Sequence, residues 1–158
     1  MRAVRLRLHV PNQSASDVYA ALADFERYPV LCEAVQKVAV TEVSENVTVS
    51  AWEVTFRAGL LRWTEEDTFD SGALTITFRQ LDGDIPVFDG SWQVVDAGPG
   101  SEVLFSATLD MGIPSLADAL EPIAARTLIA NIVSIVRGLV GSAELLESEM
   151  EVTVGSAS

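Results

Sequence analysis

Apolar and polar residues alternate along the first ten residues of the chain. Val4, Leu6, Leu8 and Val10 fall on one side of the predicted strand 2–10, with arginine or histidine between them. A period of two is typical of a β-strand with one buried face. Six further strands are predicted in series, separated by short hairpin-like turns: residues 35–43, 46–57, 60–70, 73–81, 86–96 and 101–110.

Two short helices are predicted between the first two strands. The first covers residues 15–24, where apolar positions follow helical spacing and Ser14 or Ser16 can cap the amino end. The Tyr-Pro sequence at 28–29 marks a break, because the residue before a proline disfavours helical backbone. A short second helix is expected over residues 29–34.

A long apolar helix is predicted after the last of these strands, over residues 115–147. Pro122 lies inside it, so a kink or a division into two parts is expected. Residues 128–136 are apolar on nearly every side, which is typical of a helix buried on most faces. Residues 148–158 are expected to form a flexible tail, which places the single folded domain at residues 1–147.

The predicted strand over residues 60–70 carries an unusual combination of side chains. One face presents, in order, Leu61, Trp63, Glu65, Asp67 and Phe69. Residues two apart on a strand lie on the same side, roughly 6–7 Å apart. A carboxylate in an apolar interior costs several kcal/mol unless it is paired, protonated or hydrated. Either this face lines a cavity that holds water or ligand, or the face is assigned the wrong way round.

The order of elements predicts an α+β domain. A strongly bent antiparallel sheet wraps around a long C-terminal helix, with two short helices after the first strand. Six consecutive antiparallel strands form a meander that must curl or be covered. An internal cavity between sheet and helix is expected, because only large side chains could fill that space.

Charge and composition narrow the possible functions of the 158-residue chain. The net charge of −13 argues against nucleic acid and against anionic membrane as partners. No apolar run reaches the ~20 residues of a membrane span, although the mean hydropathy is +0.29, so stable membrane insertion is not expected. The first residues lack the apolar core of a signal peptide. We expect a cytoplasmic protein.

Metal and cofactor chemistry have no motif in the sequence. One histidine, His9, and one cysteine, Cys32, cannot form a His/Cys zinc site. The glycine-rich patterns that bind dinucleotides or phosphates are missing. We expect neither a metal nor a cofactor.

Four segments of the chain resemble the START-like superfamily, whose helix-grip fold is shared by polyketide aromatase/cyclases, coenzyme Q-binding proteins and lipid carriers. They are an aromatic-Pro segment at 24–31, a Trp-bearing central strand at 61–65, a hairpin ending in a Trp at 83–92, and the C-terminal helix at 124–131. The resemblance covers roughly residues 2–145 and is carried by the order and spacing of these segments.

The resemblance implies a deep apolar cavity between the sheet and the C-terminal helix. In bacterial polyketide cyclases of this superfamily, that cavity holds a poly-β-ketone chain and promotes aldol closure and dehydration. It implies cavity positions for Trp63 and Trp92, and Tyr28 stands where those enzymes often have Trp. Asp67 stands where one aromatase/cyclase type has a catalytic Arg, and Val35 where that type has a cavity Tyr. The mechanism of that type is therefore not transferred to this chain.

The first hypothesis is an enzyme that cyclises a polyketide-like intermediate, with or without dehydration. Enolisation beside a carbonyl needs a base whose pKa is near the working pH, and burial among aromatic rings raises the pKa of a carboxyl group. Glu65 and Asp67 are the candidate acid and base, and Arg79 or a tyrosine is the candidate carbonyl donor, although strand alternation turns Arg79 away from its apolar neighbours. Alternatively, the carboxylates pair with Arg62, Arg79 or Arg126, or lie at a hydrated cavity mouth.

The second hypothesis is a carrier of a quinone, lipid or other hydrophobic molecule, which needs only the cavity. Candidate ligand-binding residues for either hypothesis are Tyr28, Cys32, Trp52, Trp63, Phe88, Trp92 and Asn131. Core packing is the favoured alternative for Trp52 and Cys32, and Asn131 either faces the ligand or caps a strand end. A surface-acting stress- or toxin-type protein ranks last, because the acidic balance argues against an RNA target.

Both leading hypotheses make a hydrophobic small molecule the main partner. For the enzyme, a role in the biosynthesis of secondary metabolites is expected, with an acyl carrier protein as the candidate that delivers the intermediate. The sequence leaves open the substrate, the ring regiochemistry, and whether the protein is a monomer or a homodimer.

Overall fold

The chain forms one curved sheet with helices on its concave side. A computed structural model describes residues 2–56, 59–110 and 114–152, those of 114–121 and 152 without their side chains. Within these ranges the elements are β1 Arg2–Val10, α1 Ala15–Ala23, α2 Tyr28–Leu31, β2 Val35–Ser44, β3 Val47–Phe56, β4 Gly59–Asp70, β5 Thr75–Gly83, β6 Val87–Ala97, β7 Gly100–Asp110, α3 Pro114–Val140 and β8 Glu144–Val152. A 3₁₀ turn, Phe25–Arg27, precedes α2.

The eight strands form a single antiparallel sheet in the order β2-β3-β4-β5-β6-β7-β1-β8. Strands β2 to β7 are joined by successive hairpins, and β1 lies between β7 and β8. The predicted architecture is confirmed: a large antiparallel sheet, two short helices after the first strand and a long C-terminal helix form the helix-grip fold. The six meander strands and the first strand lie within a few residues of the predicted ranges.

The core lies between the concave face of the sheet and the helices. Alternate residues of β1, from Val4 to Val10, are buried, as the pattern predicted. Helix α3 contacts β1, β7, α1 and α2. The stretch Pro122–Val140 is long and apolar enough to cross a membrane, with a mean hydropathy of 1.6 over 19 residues, so the expectation that no run reaches that length was wrong. A helix packed on a sheet on one side and on helices on another needs the same composition.

The two short helices follow the sequence signals with one correction. Ser14 caps α1, since its hydroxyl oxygen accepts a hydrogen bond from the Asp17 N–H at 3.2 Å. Pro29 does not break the chain between two helices; it lies in the first turn of α2, which begins at Tyr28 and ends at Leu31. Proline is tolerated there because the first helical N–H groups have no partner inside the helix.

The C-terminal region differs from the prediction. Helix α3 ends at Val140 rather than near 147, because Gly141 adopts a left-handed conformation (φ 89°) and its N–H bonds to the Arg137 carbonyl. Residues 144–152 then pair with β1 as strand β8. The predicted flexible tail from residue 148 was therefore wrong for residues 148–152, and the domain extends at least to residue 152; residues 153–158 lie outside the described residues.

Strand β8 is anchored to its neighbours by ion pairs with the two outward arginines of β1. Arg7 contacts Glu102 on β7 at 2.6 Å and Glu147 on β8 at 3.0 Å. Arg5 contacts Glu151 at 3.3 Å. Exposed pairs of this kind are screened by solvent and stabilise a protein only weakly. They also explain why glutamates alternate along β8, a strand whose side chains are nearly all exposed.

Gly141→Ala should destabilise the protein by about 1 kcal/mol, because an alanine is strained in the left-handed conformation that ends α3. The free energy of unfolding from urea titration measures this. Gly72→Ala is the matched control: Gly72 lies in a turn, has no positive φ, and its added Cβ would meet only Asp70 Oδ1 at 3.4 Å. A loss in Gly72→Ala equal to that in Gly141→Ala would contradict the assignment of the helix end.

Candidate ligand cavity and buried carboxyl pair

Strand β4 presents its acidic residues to the inside of the protein. Glu65 is 4% exposed and Asp67 is 0% exposed. The intervening residues Thr64 and Glu66 are on the other face, where Glu66 forms an ion pair with Arg79. The face predicted from the alternation is therefore the concave one, and the two carboxyl groups are buried in the interior.

A bulge in β5 and a close backbone approach fix the position of this face. Thr64 of β4 pairs with Asp82 of β5, but the next residue, Glu65, pairs with Gln80. One residue of β5 is therefore left without a partner on β4. Gly83, with φ 152°, then passes so close to Trp63 that a Cβ on it would lie 2.5 Å from the Trp63 Cβ. Only glycine fits here, and the Trp63 ring is thereby held over the cavity side of the sheet.

Neutral donors surround the two carboxyl groups. Ser50 Oγ donates to Asp67 Oδ2 at 2.6 Å, and Thr48 Oγ1 donates to the same oxygen at 3.1 Å. Trp63 Nε1 donates to Glu65 Oε1 at 2.8 Å. Trp52 Nε1 donates to Ser50 Oγ at 2.8 Å, which aligns the hydroxyl hydrogen toward Asp67.

Ion pairing does not neutralise these acids. Arg62 contacts Glu53 at 2.8 Å and Arg79 contacts Glu66 at 3.4 Å, both outside the cavity. Arg126 is exposed on α3. The alternative in which arginines pair with Glu65 and Asp67 was therefore wrong for the described residues, because strand alternation places these side chains on opposite faces.

The acids are instead accommodated by neutral hydrogen-bond donors and by a raised pKa of Glu65. Burial raises the pKa of Glu65 well above its usual range, and the hydrogen bond with Asp67 and the charge of Asp67 raise it further, against a smaller lowering by the Trp63 bond. Asp67 Oδ1 accepts no hydrogen bond from a fixed donor, so it is the acceptor available to a protonated Glu65. Two hydroxyl groups donate hydrogen bonds to the other oxygen of Asp67. Burial beside Asp67 therefore favours the neutral form of Glu65.

An aromatic cluster packs around the carboxyl pair. Trp52 and Trp63 are cross-strand partners whose rings stack with centroids 5.9 Å apart and an interplanar angle of 1°. Phe88 meets Trp63 edge-on at 5.4 Å, and Phe25 meets Trp52 in the same way at 5.4 Å. The indole N–H of Trp63 donates directly to Glu65, and the indole N–H of Trp52 is linked to Asp67 through the Ser50 hydroxyl. The rings and the carboxyl groups therefore form one connected wall.

Two small chambers adjoin this wall. The larger, of about 80 Å³, is lined by Phe25, Tyr28, Val35, Trp52, Val54, Trp63, Glu65, Phe78, Phe88, Trp92, Phe105, Leu128, Asn131, Ile132 and Ile135. A second chamber of about 60 Å³ lies toward Leu61, Ile85 and Leu109. The residues that line both are Val54, Trp63, Phe88, Leu128 and Asn131. The lining of the larger chamber is almost entirely apolar, with Glu65 on the sheet and Asn131 on α3 as polar groups. Thr55 and Thr127 also line the smaller one.

Most of the predicted ligand-binding residues meet at the larger chamber. Its lining includes Tyr28, Trp52, Trp63, Phe88, Trp92 and Asn131. Cys32 is buried but lines neither chamber, which agrees with core packing. Tyr28 uses its hydroxyl to donate to the Leu22 carbonyl at 2.6 Å, so it lines the chamber with its ring.

Of the three candidate catalytic residues, only Glu65 lines the chamber. Asp67 lies behind Glu65, fully buried and outside the lining. Arg79 was wrongly placed: its side chain is 62% exposed on the outer face, because it alternates with the buried Ile76 and Phe78 along β5. Among the described residues, no cluster of His, Cys, Asp or Glu could hold a metal ion.

Sequence reasoning missed the hydroxyl donors of β3. Thr48, Ser50 and Trp52 alternate on one face of that strand, and register sets them opposite Asp67, Glu65 and Trp63. The available signal was the alternation of hydroxyl residues along β3, which matches the alternation of acids along β4. This signal can be used only when the exact residue pairing between β3 and β4 is known.

Comparison with known proteins assigns the fold to a family. Residues 12–133 match the family described as polyketide cyclase / dehydrase and lipid transport. The chain belongs to this family. The resemblance to START-like polyketide cyclases is thereby confirmed.

Individual relatives agree with the family. The actinorhodin polyketide synthase bifunctional cyclase/dehydratase of Streptomyces coelicolor is 29% identical over 133 residues, which are 79% of this chain but 40% of that protein. The chain thus spans less than half the length of that curated relative. The protein TTHA0849 from Thermus thermophilus shares the fold at a TM-score of 0.80, with 24% identity over 88% of this chain and 94% of that one. The Zhui aromatase/cyclase from Streptomyces sp. R1128 shares the fold at a TM-score of 0.77, with 17% identity over 89% of this chain and 93% of that one.

Glu65→Gln should change how stability depends on pH. The folded state holds the Glu65 proton above the pKa of the unfolded chain, near 4.3, so wild-type stability falls as pH rises from there toward the raised pKa. The loss is about 1.4 kcal/mol per pH unit where folded Glu65 is neutral and unfolded Glu65 is charged. Glutamine has no proton to lose, so the variant should gain on the wild type as pH rises.

Thermal melts of both proteins between about pH 4 and pH 8 measure this effect. Glu66→Gln, on the outer face of the same strand, is the matched control and should follow the wild type in parallel. If the difference between Glu65→Gln and wild type were independent of pH, the raised pKa of Glu65 would be refuted.

Proposed function

We propose that this domain binds a polyketide-like intermediate in its apolar cavity and promotes cyclisation by aldol chemistry, with or without loss of water. The observation that carries the proposal is the buried Glu65–Asp67 pair at the wall of an apolar cavity, in a chain of the polyketide cyclase / dehydrase family. The curated relative named as a bifunctional cyclase/dehydratase supports it. In this proposal the protein acts in the cytoplasm, and an acyl carrier protein delivers the intermediate.

Glu65 is the acid/base of the proposed reaction. A carboxylate with a raised pKa is a stronger base than an ordinary one, and the ionised form of Glu65 removes the proton from a carbon between two carbonyl groups. That carbon attacks a second carbonyl of the same chain, a C–C bond forms, and the new alkoxide takes the proton back from Glu65. The proton is returned, so ring closure leaves the enzyme unchanged.

Dehydration uses the same group twice. Glu65 removes the remaining α-proton, and the hydroxyl formed in ring closure leaves with that proton as water, which creates the double bond. Asp67 is a positioning residue in this scheme, because it lies behind Glu65 and acts through it. Asn131, on the opposite wall, can donate its amide N–H to a substrate carbonyl.

The cavity must widen to hold such a ligand. Ligand sites for drug-sized molecules are about 300–1,000 Å³, whereas the larger chamber measures about 80 Å³. The five residues common to both chambers form the partition between them, and displacement of the Phe88 ring or of Leu128 on α3 would join the two spaces. Ligand entry is therefore expected to move side chains of β6 and α3.

Glu65→Gln should lower the rate of cyclised product formation from a poly-β-ketone thioester by roughly 10²- to 10⁴-fold, because general acid–base catalysis usually contributes a rate factor of that size. Glutamine keeps the size of the side chain and an acceptor for Trp63 Nε1. Glu66→Gln removes a carboxylate from the neighbouring position on the outer face and should leave the rate unchanged. Product is measured by liquid chromatography with mass detection, and full activity of Glu65→Gln would rule out the acid/base role.

A carrier of a quinone, lipid or other hydrophobic molecule is the second candidate. The family description includes lipid transport, and a carrier needs only the apolar lining. Native mass spectrometry of the purified protein separates the two functions. A co-purified quinone or lipid, together with no turnover of the thioester, would favour the carrier.

A further inference from the structure

Two polar side chains interrupt the apolar face that helix α3 turns toward the cavity. Thr127 lines the second chamber, and Asn131 lines both chambers. The remaining polar residues of the stretch Pro122–Val140 are all exposed: Arg126, Ser134 and Arg137. Thr127 and Asn131 are therefore the polar groups that this stretch of the helix offers to a ligand.

The protein itself leaves both side chains free to bond. Within the described residues, the Thr127 hydroxyl and the Asn131 amide have no hydrogen-bond partner, although both residues are half-buried. Threonine and asparagine inside a helix are less favourable than alanine or leucine, and a polar group shielded from water without a partner costs further stability. A ligand oxygen at each position would satisfy these donors.

The spacing of the two donors fits a chain with regularly placed oxygens. Residues four positions apart lie on the same side of a helix, with Cβ atoms about 5–6 Å apart. In an extended carbon chain, two carbonyl oxygens on carbons four bonds apart are separated by roughly 5 Å. When every second carbon carries a carbonyl, one carbonyl can therefore lie at each donor, with a further carbonyl between them.

We propose that Thr127 and Asn131 form a register site on α3 that binds two carbonyl oxygens of the ligand chain, four bonds apart. Asn131 lies at the partition that both chambers share, and Glu65 lines the larger chamber from the sheet. A chain held at both donors can no longer slide along the cavity, so the register site fixes which carbon lies at Glu65. The inference deepens the proposed function and rests on it, because it takes the ligand to carry carbonyls on alternate carbons.

The test uses three ketones with the same eleven-carbon chain, whose affinities are measured by quenching of tryptophan fluorescence and by calorimetry. The carbonyls are four bonds apart in 2,6-undecanedione and eight bonds apart in 2,10-undecanedione, and 2-undecanone has one. Wild type should bind 2,6-undecanedione about three- to tenfold more tightly than either other ketone, because one additional neutral hydrogen bond contributes a factor of that size.

Variants of α3 show whether the register site causes this preference. Thr127→Val removes the hydroxyl with little change of shape and should lower the affinity for 2,6-undecanedione to that for 2-undecanone. Thr127→Ser keeps the hydroxyl and should keep the preference. Ser134→Ala, on the exposed side of the helix, is the matched control and should bind like wild type. Asn131→Leu removes the other donor, should lose the preference too, and replaces Thr127→Val if that variant does not fold.

Several results would overturn the inference: equal binding of the two diones by wild type, an unchanged preference in Thr127→Val, loss of the preference in Thr127→Ser, or no binding of any of the three ketones at millimolar concentration. Failure of the proposed function looks different. A wild type that prefers 2,6-undecanedione yet forms no cyclised product from the poly-β-ketone thioester contradicts the proposed function alone. Turnover of the thioester by a protein that binds both diones equally contradicts only the register site.

Discussion

The burial of two carboxyl groups on the concave face of β4 is the constraint to which the surrounding structure responds. A single uncompensated charge in an apolar interior costs several kcal/mol, and two neighbouring charges cost more. The protein meets this cost without a cation. Hydroxyl groups of Ser50 and Thr48 donate hydrogen bonds to Asp67, and burial raises the pKa of Glu65 well above its usual range. The neutral form of Glu65 is thereby favoured, which lowers the cost of burying two acids side by side.

The tryptophans make that arrangement rigid. Because Trp52 and Trp63 face each other across β3 and β4, their rings stack, and each indole N–H ends in the hydrogen-bond network of the acids. An acid held by an indole and a neighbouring carboxylate has little freedom to turn toward solvent. The same rings form the apolar surface on which a planar ligand can lie, so acid and ligand surface are positioned by one set of contacts.

Much of this could be predicted from residue patterns, and the failures have physical causes. Period-two alternation correctly placed Glu65 and Asp67 on the inner face. A shift of the strand register by one residue would have turned the apolar side chains outward and buried the polar ones instead. Strand β8 was missed because its leucines and glutamates favour helices and it buries almost nothing; its pairing with β1 is a long-range property. The hydroxyl network was missed because it depends on the register between two strands. Arg79 was offered as a carbonyl donor although the alternation of β5 already turned it outward.

The residue type at position 67 separates this domain from the aromatase/cyclase type that the sequence resembles. There, the position of Asp67 is implied to hold a catalytic arginine, which can stabilise a developing oxyanion directly. An aspartate cannot do so, and the charge of Asp67 instead raises the pKa of Glu65. In the proposed function, negative charge must therefore leave the substrate as soon as it forms, by proton transfer to and from Glu65. Under that proposal the same fold and cavity support ring closure through movement of a proton in place of a fixed positive charge.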